Sequence, residues 1–532
     1  MRNIILVGFM GTGKSEVGKR LAGELGWDFE DTDLRIQERE GRTIPEIFKE
    51  SGEAHFRKRE REVVAELANR KSCVIATGGG VVTDPVNLRR LQRNGVLIGL
   101  EATPDAILAR TAGSERPLLQ HGRRSERVRQ LLKTRRPYYL LSDYRIDTTH
   151  KTPDQVARMI RDIVSETGPI RVDLAERSYS IEIGDGILPR IGERLVSLGL
   201  KGKVGVITNP RVGRLYGSVV TRSLRKAGFE VAVVTLPDGE QHKNLRSVSR
   251  VYDELIRRSF ERSSTLLALG GGVIGDLAGF AAATFLRGIG FIQVPTTLAA
   301  QVDASIGGKT GVDHAHGKNL IGAFYQPKLV WIDTGVLKTL NRREFVSGLA
   351  EVIKYGVIQD EGFFSYLEDN IDKILKLEPA ALTHAIRRSC AIKAEVVQKD
   401  EREGGLRKIL NYGHTLGHAL ETATNYRTYL HGEAVSIGIA FAAQLSVRLG
   451  LMDVPSARRQ IELLKRAGLP VALPKIKPAD IIKIMKLDKK VSGGRMHFVL
   501  PVKIGQVVVR PAEEKIVAQA LKSLEEGGEF IG

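Results

Sequence analysis

The hydrophobic pattern divides the chain into three stretches. In the first, the unbroken apolar run Ile4-Ile5-Leu6-Val7 predicts a strand buried on both faces. Val17, Leu21 and Leu25 then recur at helical spacing, and Gly26 ends the helix. A second run, Cys73-Val74-Ile75-Ala76, predicts another strand. The polar segment Ser165-Glu166-Thr167-Gly168-Pro169 reads as a linker, with a fresh start at Ile170-Arg171-Val172. Beyond it, strand-like runs at residues 204–207, 231–234 and 265–269 alternate with helical ones, which predicts a parallel α/β layer. From about Arg342 helical patterns dominate. Strand signals return with His497-Phe498-Val499-Leu500 and Val507-Val508-Val509. The expected domains are residues 1–168, 169–340 and 341–532: two α/β domains with parallel sheets, then a mostly α-helical one.

The loop after the first strand is Gly8-Phe9-Met10-Gly11-Thr12-Gly13-Lys14-Ser15, a full match to G-x4-G-K-S. Strand, loop and helix is the context a phosphate-binding loop requires. The backbone N–H groups of Gly11, Thr12, Gly13 and the helix start at Lys14, Ser15 and Glu16 would face the phosphates of ATP. Lys14 adds a point charge, and the Ser15 hydroxyl offers a ligand to Mg2+.

A second glycine loop, Gly270-Gly271-Gly272-Val273-Ile274-Gly275-Asp276, follows a predicted strand and contains G-x-G-x-x-G. A standard dinucleotide unit wants an acid about 20 residues further on. None appears between Asp276 and Asp303. This is a dinucleotide loop of another kind, or a tight strand–helix turn.

Asn411-Tyr412-Gly413-His414-Thr415-Leu416-Gly417-His418 and His431-Gly432-Glu433 gather three of the chain's 11 histidines. Neutral imidazole is the commonest metal ligand, and three protein ligands with one open position is the usual catalytic zinc arrangement. His414 and His418 are four apart and share a helix face, backed by Leu416, Ala419, Leu420 and Ala423. The plainer alternative is a helix packing satisfied histidines. Lys309, Lys318, Lys354 and Arg407 are costly to gather unless an anion neutralises them; singly, each reads as a solvated surface residue.

With 532 residues the chain exceeds a single core, and 42% apolar with 27% charged residues is ordinary for a soluble protein. Two cysteines exclude a disulfide framework and suit a reducing cytoplasm. The opening apolar run is too short for a signal peptide. The apolar window at residues 266–286 carries Asp276 and several glycines, which favours a buried loop and helix over a membrane span. The net charge of +19 is spread along the chain without a basic tail. Beside these motifs it points to small anionic substrates rather than nucleic acid or membrane.

Asp31-Thr32-Asp33, Arg57, Gly78-Gly79-Gly80, Arg116-Pro117-Leu118-Leu119 and Arg135-Arg136-Pro137-Tyr138-Tyr139, in this order behind the phosphate loop, resemble shikimate kinase over residues 1–165. Taken separately, Asp31 or Thr32 reads as a helix cap and the glycines as a turn in the chain. The resemblance implies that Asp33 binds shikimate hydroxyls and serves catalysis with Lys14, while Arg57 and Arg135 hold the carboxylate beside Gly79 and Gly80. It implies that Arg116 covers the phosphates of ATP and that Asp31 orients Mg2+ through water. Glu16 stands where a hydroxyl residue is common.

Residues 171–520 resemble 3-dehydroquinate synthase. The resemblance rests on Asp238-Gly239-Glu240-Gln241-His242-Lys243, the second glycine loop, Pro295-Thr296-Thr297-Leu298, Asp303, Gly307-Gly308-Lys309-Thr310, Gly317-Lys318-Asn319-Leu320-Ile321-Gly322, Glu351-Val352-Ile353-Lys354-Tyr355-Gly356, Lys393, Arg407 and the histidine segment. It implies that Glu351, His414 and His431 bind Zn2+ or Co2+. NAD would meet Asp238, Glu240, Lys243, Gly272, Val273, Ile274, Gly275, Asp276, Thr296, Thr297, Lys309, Lys318 and Thr339. Asp303, Lys309, Lys318, Asn319, Lys354, Lys393, Arg407, Asn411 and His418 would surround 3-deoxy-arabino-heptulosonate 7-phosphate, with Lys309, Lys354, Arg407 and His418 in catalysis. His418 is then no metal ligand, despite its spacing. Asp313 stands where the family has asparagine. The implied chemistry removes a hydride to NAD, expels phosphate, returns the hydride and closes a carbocycle. A homodimer through this region is expected. Two rival readings are a metal- and NAD-dependent polyol dehydrogenase fused to another kinase, and a nucleotide-regulated nucleic-acid binder.

Overall fold

A computed structural model of the chain describes residues 3–111, 124–162, 168–314, 316–474, 476–487, 491–492 and 495–525. The chain forms two compact units, Met1–Gly168 and Pro169–Gly532.

The first unit holds strands β1 (Asn3–Gly8), β2 (Asp28–Asp31), β3 (Cys73–Ala76), β4 (Gly95–Glu101) and β5 (Tyr144–Asp147). They form one parallel sheet in the order β2-β3-β1-β4-β5. Ile4 and Leu6 of β1 pack with Val17 and Leu21 on one side, and Ile5 and Val7 with Ile36, Val63 and Ile75 on the other. Both faces are covered, so β1 is apolar at successive positions instead of alternating. Each such side chain contributes about 1.5–3 kcal/mol by leaving water. The order reverses at β1, which opens a crevice beyond the carboxyl ends of β1 and β3. The loops after β1, β2 and β3 meet there.

The second unit holds β6 (Ile170–Val172), β7 (Tyr179–Gly184), β8 (Lys203–Thr208), β9 (Glu230–Thr235), β10 (Thr265–Gly270), β11 (Gly290–Pro295), β12 (Lys309–His314), β13 (Gly317–Phe324) and β14 (Leu329–Asp333). The main sheet runs β6-β7-β14-β11-β10-β8-β9, parallel except where β6 meets β7. The runs expected at residues 204–207, 231–234 and 265–269 lie in β8, β9 and β10. β12 and β13 form a separate antiparallel hairpin. The apolar window 266–286 is the end of β10, the buried Gly272–Thr284 helix and the turn after it. Among the described residues no helix is long and apolar enough to cross a membrane.

From Arg342 the chain is mainly helical: Arg342–Gln359, Glu361–Leu375, Pro379–Lys399, His414–Ala423, His431–Arg448 and Val454–Arg466 come first. A small antiparallel sheet of β15 (Val491–Ser492), β16 (Arg495–Lys503) and β17 (Gln506–Ala512) follows, matching the late strand signals. One apolar core joins these helices to Val172, Ile181, Val330 and Ile332 of the sheet, so the two parts of this unit are packed as one body.

Candidate active sites

In the first unit β1 ends at Gly8 and the next helix starts at Lys14, with Gly13 at φ 90° as its cap. The Lys14 ammonium donates to the carbonyls of Gly8 and Phe9, both at 2.9 Å. Ser15 donates to Asp31 Oδ2 at 2.6 Å. Asp31 Oδ1 meanwhile caps the Thr32–Glu40 helix through the N–H groups of Asp33 and Leu34. Asp31 therefore caps the helix, as its position suggested, and also holds the Ser15 hydroxyl. Glu16 points to solvent from the first turn.

Gly78 and Gly80 bring the backbone after β3 against two of the expected site residues. A Cβ on Gly78 would lie 2.3 Å from Asp33 Oδ1, and one on Gly80 would lie 2.7 Å from Arg57 Nη1. Arg57 donates to both oxygens of Glu60 at 2.9 Å. Burial raises the Glu60 carboxyl against the pull of Arg57; nearby Asp33 raises it further, and Arg135 opposes. Gly79 accepts from the Tyr139 hydroxyl at 2.6 Å, and burial pushes that phenol up to about 12. Asp33, Arg57, Gly79, Gly80 and Arg135 thus lie close together beyond β3, with two guanidinium groups near one carboxylate. Arg116 lies outside the described residues.

In the second unit every expected NAD residue except Lys309 and Lys318 follows the carboxyl end of a parallel strand. Asp238 comes after β9 and accepts from Asn209 at 3.0 Å. Gly272, Val273, Ile274 and Gly275 form the first turn of the helix after β10, a helix start that suits a phosphate. Thr296 and Thr297 follow β11, and Thr296 N donates to Gly270 O at 2.9 Å. Thr339, beyond β14, is held by the Tyr216 hydroxyl at 2.5 Å. Lys243 meets Asp276 at 2.5 Å and donates to Asn319 Oδ1 at 2.5 Å. Burial opposes its charge, but Asp276 and Glu240 outweigh this and raise its pKa. Asp313 accepts from Asn319 N at 2.8 Å, near the start of β13, where Asn319 has φ 54°.

Lys309, Lys318, Lys354, Lys393 and Arg407 sit on five elements, each with an acidic or carbonyl partner. Asp303 accepts from Lys393 at 2.7 Å and from the Tyr355 hydroxyl at 2.8 Å, with Lys354 at 3.6 Å. Burial lowers Lys393 to about 8, only partly offset by Asp303. Arg407, 2% exposed, donates to the carbonyls of Glu401 and Gly307. Lys309 of β12 pairs with Glu403, which also accepts from Asn411 at 2.9 Å. Lys318 of β13 lies 3.1 Å from Glu240, 3.8 Å from Glu421 and 4.0 Å over the Tyr426 ring. Lys309 and Lys318 therefore occupy different corners.

Three helices converge on the histidine cluster. Glu351 comes from Arg342–Gln359; His414 and His431 are the first residues of their helices. Close backbone approach sets the geometry: a Cβ on Gly432 would stand 1.8 Å from Ser347 O, and one on Gly438 would stand 1.8 Å from Gly413 O. One ligand atom from each of Glu351, His414 and His431 lies within 4.8 Å of the others. Both imidazole Nε2 atoms face Glu351 Oε1, at 3.4 Å for His414 and 3.5 Å for His431.

The tautomers show what belongs among them. His414 Nδ1 lies 3.0 Å from the Tyr412 carbonyl, which only accepts, so Nδ1 carries a proton. The Nε2 lone pair of the neutral ring then faces a carboxylate oxygen, an arrangement that needs a cation between them. Both Glu351 oxygens are buried and make no well-formed hydrogen bond, although Oε2 is in an ion pair with Lys354. Burial resists ionisation of Glu351, yet Lys354 and His414 hold it well below the usual carboxylate range. Burial lowers His414, favouring its neutral form. One hard oxygen and two imidazole nitrogens fit a divalent metal such as Zn2+. His418, Glu421 and His431 form a second such group.

The sequence pattern of the 3-dehydroquinate synthase N-terminal family matches residues 233–347, and that of its C-terminal family matches residues 348–491. A 3-dehydroquinate synthase from Picosynechococcus sp. is 54% identical over 342 residues, covering 64% of this chain and 94% of the relative. One from Thermodesulfovibrio yellowstonii is 52% identical over 341 residues, covering 64% and 95%. The chain belongs to the 3-dehydroquinate synthase family. Its first unit adds a shikimate kinase domain, whose family pattern matches residues 10–165, so two enzymes of the shikimate pathway are fused. This excludes the polyol dehydrogenase and nucleic-acid-binding readings. A solved 2-epi-5-epi-valiolone synthase from Streptomyces hygroscopicus, with NAD+ and Zn2+ bound, shares 29% identity with the synthase unit; the match has a TM-score of 0.62 and covers 66% of this chain and 98% of that one.

Sequence reasoning passed over Glu60 in the kinase unit and Tyr355, Glu403, Glu421 and Tyr426 in the synthase unit. Glu421 alone left a signal: it lies three residues past His418, on the same helix face. Glu403 comes from a loop whose fold depends on Asp400 collecting the N–H groups of Gly404, Gly405 and Arg407.

Proposed function

We propose that the kinase unit phosphorylates shikimate in the pocket of Asp33, Arg57 and Arg135, and that the synthase unit converts 3-deoxy-arabino-heptulosonate 7-phosphate to 3-dehydroquinate around Glu351, His414 and His431. The observation that carries the second assignment is the His414 lone pair aimed at a buried carboxylate.

In the kinase, Arg57 and Arg135 hold the substrate carboxylate, and Asp33 takes the proton of the attacking hydroxyl. Lys14 leaves the carbonyls of Gly8 and Phe9 to neutralise the transferred phosphoryl group. Ser15 and Asp31 would hold Mg2+ with ATP, and Arg116 would close over the phosphates.

In the synthase, Glu351, His414 and His431 would hold Zn2+ or Co2+, and the residues at the carboxyl ends of β9, β10, β11 and β14 would hold NAD. When bound, the metal polarises a substrate oxygen and NAD removes and restores one hydride per turnover. Lys354 and Lys393 bind the substrate's anionic and hydroxyl groups across Asp303. Lys309, Arg407 and Asn411 hold the phosphate, displacing Glu403, and that phosphate takes the proton of the acidified C–H as it leaves. His418 and Asn319 hold the remaining substrate hydroxyls.

We further read 1–168, 169–340 and 341–532 as the functional divisions, and the synthase unit as the seat of a homodimer. Its exposed Leu320 and Phe324, on β13, offer apolar surface for one. The buried, unpaired Cys73 and Cys390 support a cytoplasmic setting. The test is assay of both reactions on one preparation. Phosphorylation of shikimate without conversion of the heptulosonate phosphate would remove the synthase assignment alone.

A further inference from the structure

Glu421 is buried on the His414–Ala423 helix, two turns from His414. Its Oε2 lies 3.4 Å from His431 Nδ1, and its Oε1 lies 3.8 Å from Lys318. His431 therefore stands between two carboxylates, with Nε2 toward Glu351 and Nδ1 toward Glu421. It belongs to both groups of metal-competent side chains, Glu351–His414–His431 and His418–Glu421–His431.

A neutral imidazole has one N–H and one lone pair. Whichever carboxylate takes the N–H decides which group receives the lone pair, so His431 can serve only one group at a time. Three features decide between them. His414 already offers its own lone pair at Nε2, because Tyr412 holds its Nδ1 proton. Glu351 Oε1 faces the Nε2 atoms of both His414 and His431, so lone pairs of both rings can converge beside one oxygen, whereas Glu421 meets His431 at Nδ1. Glu421 also comes from the element that carries His414, so the two histidines are set by one rigid helix and its neighbour.

We propose that Glu421 is a positioning residue: it accepts the Nδ1–H of His431, fixes the tautomer and ring orientation, and so points the Nε2 lone pair at the metal position between Glu351 and His414. A carboxylate behind a metal-bound histidine also raises the basicity of the ligating nitrogen. The second group of three is then a support for the first and takes no ion of its own. Lys318 completes the arrangement, since it places a cation beside buried Glu421 and is itself held by Glu240 and the Tyr426 ring.

The proposal rests on the metal reading of Glu351, His414 and His431, and the experiment separates the two. Full-length protein, Glu421→Gln, Glu421→Ala and His414→Ala are titrated with Co2+ alone, followed by the visible absorption of the bound ion and by competition with a chromophoric chelator. Circular dichroism and thermal unfolding of each full-length variant report whether the synthase unit is folded; the near-isosteric Glu421→Gln serves if Glu421→Ala fails that check. Wild type should bind one equivalent and His414→Ala none. Glu421→Ala should bind one equivalent about 10–100-fold more weakly, with Glu421→Gln between it and wild type. Unchanged affinity in both Glu421 variants would overturn the positioning role and leave the metal reading intact. Loss of the ion from the Glu421 variants with retention in His414→Ala would put the metal in the second group and overturn both. Two equivalents in wild type would overturn the supporting role of that group.

Discussion

Lys354 and Glu351 form an ion pair one helical turn apart, each side chain only 1% exposed. Neither could be left there alone, because an unpaired charge in so dry a place costs several kcal/mol. Lys354→Met should therefore destabilise the metal-free synthase unit by about 3–5 kcal/mol, the usual cost of stranding one partner of a buried pair. Added Zn2+ should recover part of the loss by supplying positive charge to Glu351. Chemical denaturation of the synthase unit with and without metal measures both effects. A variant as stable as wild type without metal would show that the pair is not needed to bury Glu351.

Lys14 predicts a loss confined to one activity. With its ammonium removed, the phosphoryl group in flight keeps only backbone N–H groups and Mg2+ for neutralisation. Lys14→Ala should reduce shikimate phosphorylation by at least about 100-fold, the usual scale for one preorganised donor. Synthase turnover should stay at the wild-type rate. Equal loss of both activities would mean that the substitution unfolds the chain instead.

The histidines divide by role. His431→Ala should lose bound zinc and synthase activity together while shikimate phosphorylation persists. His418→Ala should keep one equivalent of zinc and turn over poorly. Metal analysis of the two purified variants decides this, and zinc lost from the His418 variant but kept by the His431 variant would reverse the two roles.

Lys393 sets a pH limit. Burial lowers it to about 8, so it is a cation below that pH and neutral above it. Substrate held by this ammonium should bind more weakly as pH rises through 8, seen as an alkaline fall in kcat/KM of the synthase. The sign for stability is opposite. The folded-state pKa lies below the unfolded value of about 10.4, so the folded state binds fewer protons between the two. The penalty for burying the charge is full below pH 8 and relieved toward 10.4. Lys393→Arg, charged throughout, should move the alkaline fall upward; a fall at the same pH would place the titrating group elsewhere.

How far the sequence carried these conclusions varied from site to site. The phosphate loop was legible in full, because strand β1, the turn and the helix from Lys14 are set by neighbours a few residues apart. The helix carrying His414 and His418 on one face was legible for the same reason. The hairpin of β12 and β13 was not: its glycines and histidines weaken both strand and helix patterns, and it is held by long-range contacts such as Lys243 with Asn319. The lysines were visible as a group, but their partners were not. Lys309 finds Glu403 across 94 residues of chain and Lys318 finds Glu421 across 103, and no spacing rule reports such pairs.

The two units also predict independence. Each has its own sheet and core. Residues 1–168 and 169–532, expressed apart, should each keep their activity. If either piece is folded but inactive until mixed with the other, the sites are coupled.

The central claim, one chain carrying a kinase and a synthase of the same pathway, is met most directly by NMR of the full-length protein. It is supplied with NAD+, Zn2+ and 3-deoxy-arabino-heptulosonate 7-phosphate, then with shikimate and MgATP. The account predicts 3-dehydroquinate and one equivalent of inorganic phosphate with no net NADH, followed by shikimate 3-phosphate and ADP from the same sample. Accumulating NADH without phosphate release, or shikimate left unphosphorylated, would contradict it.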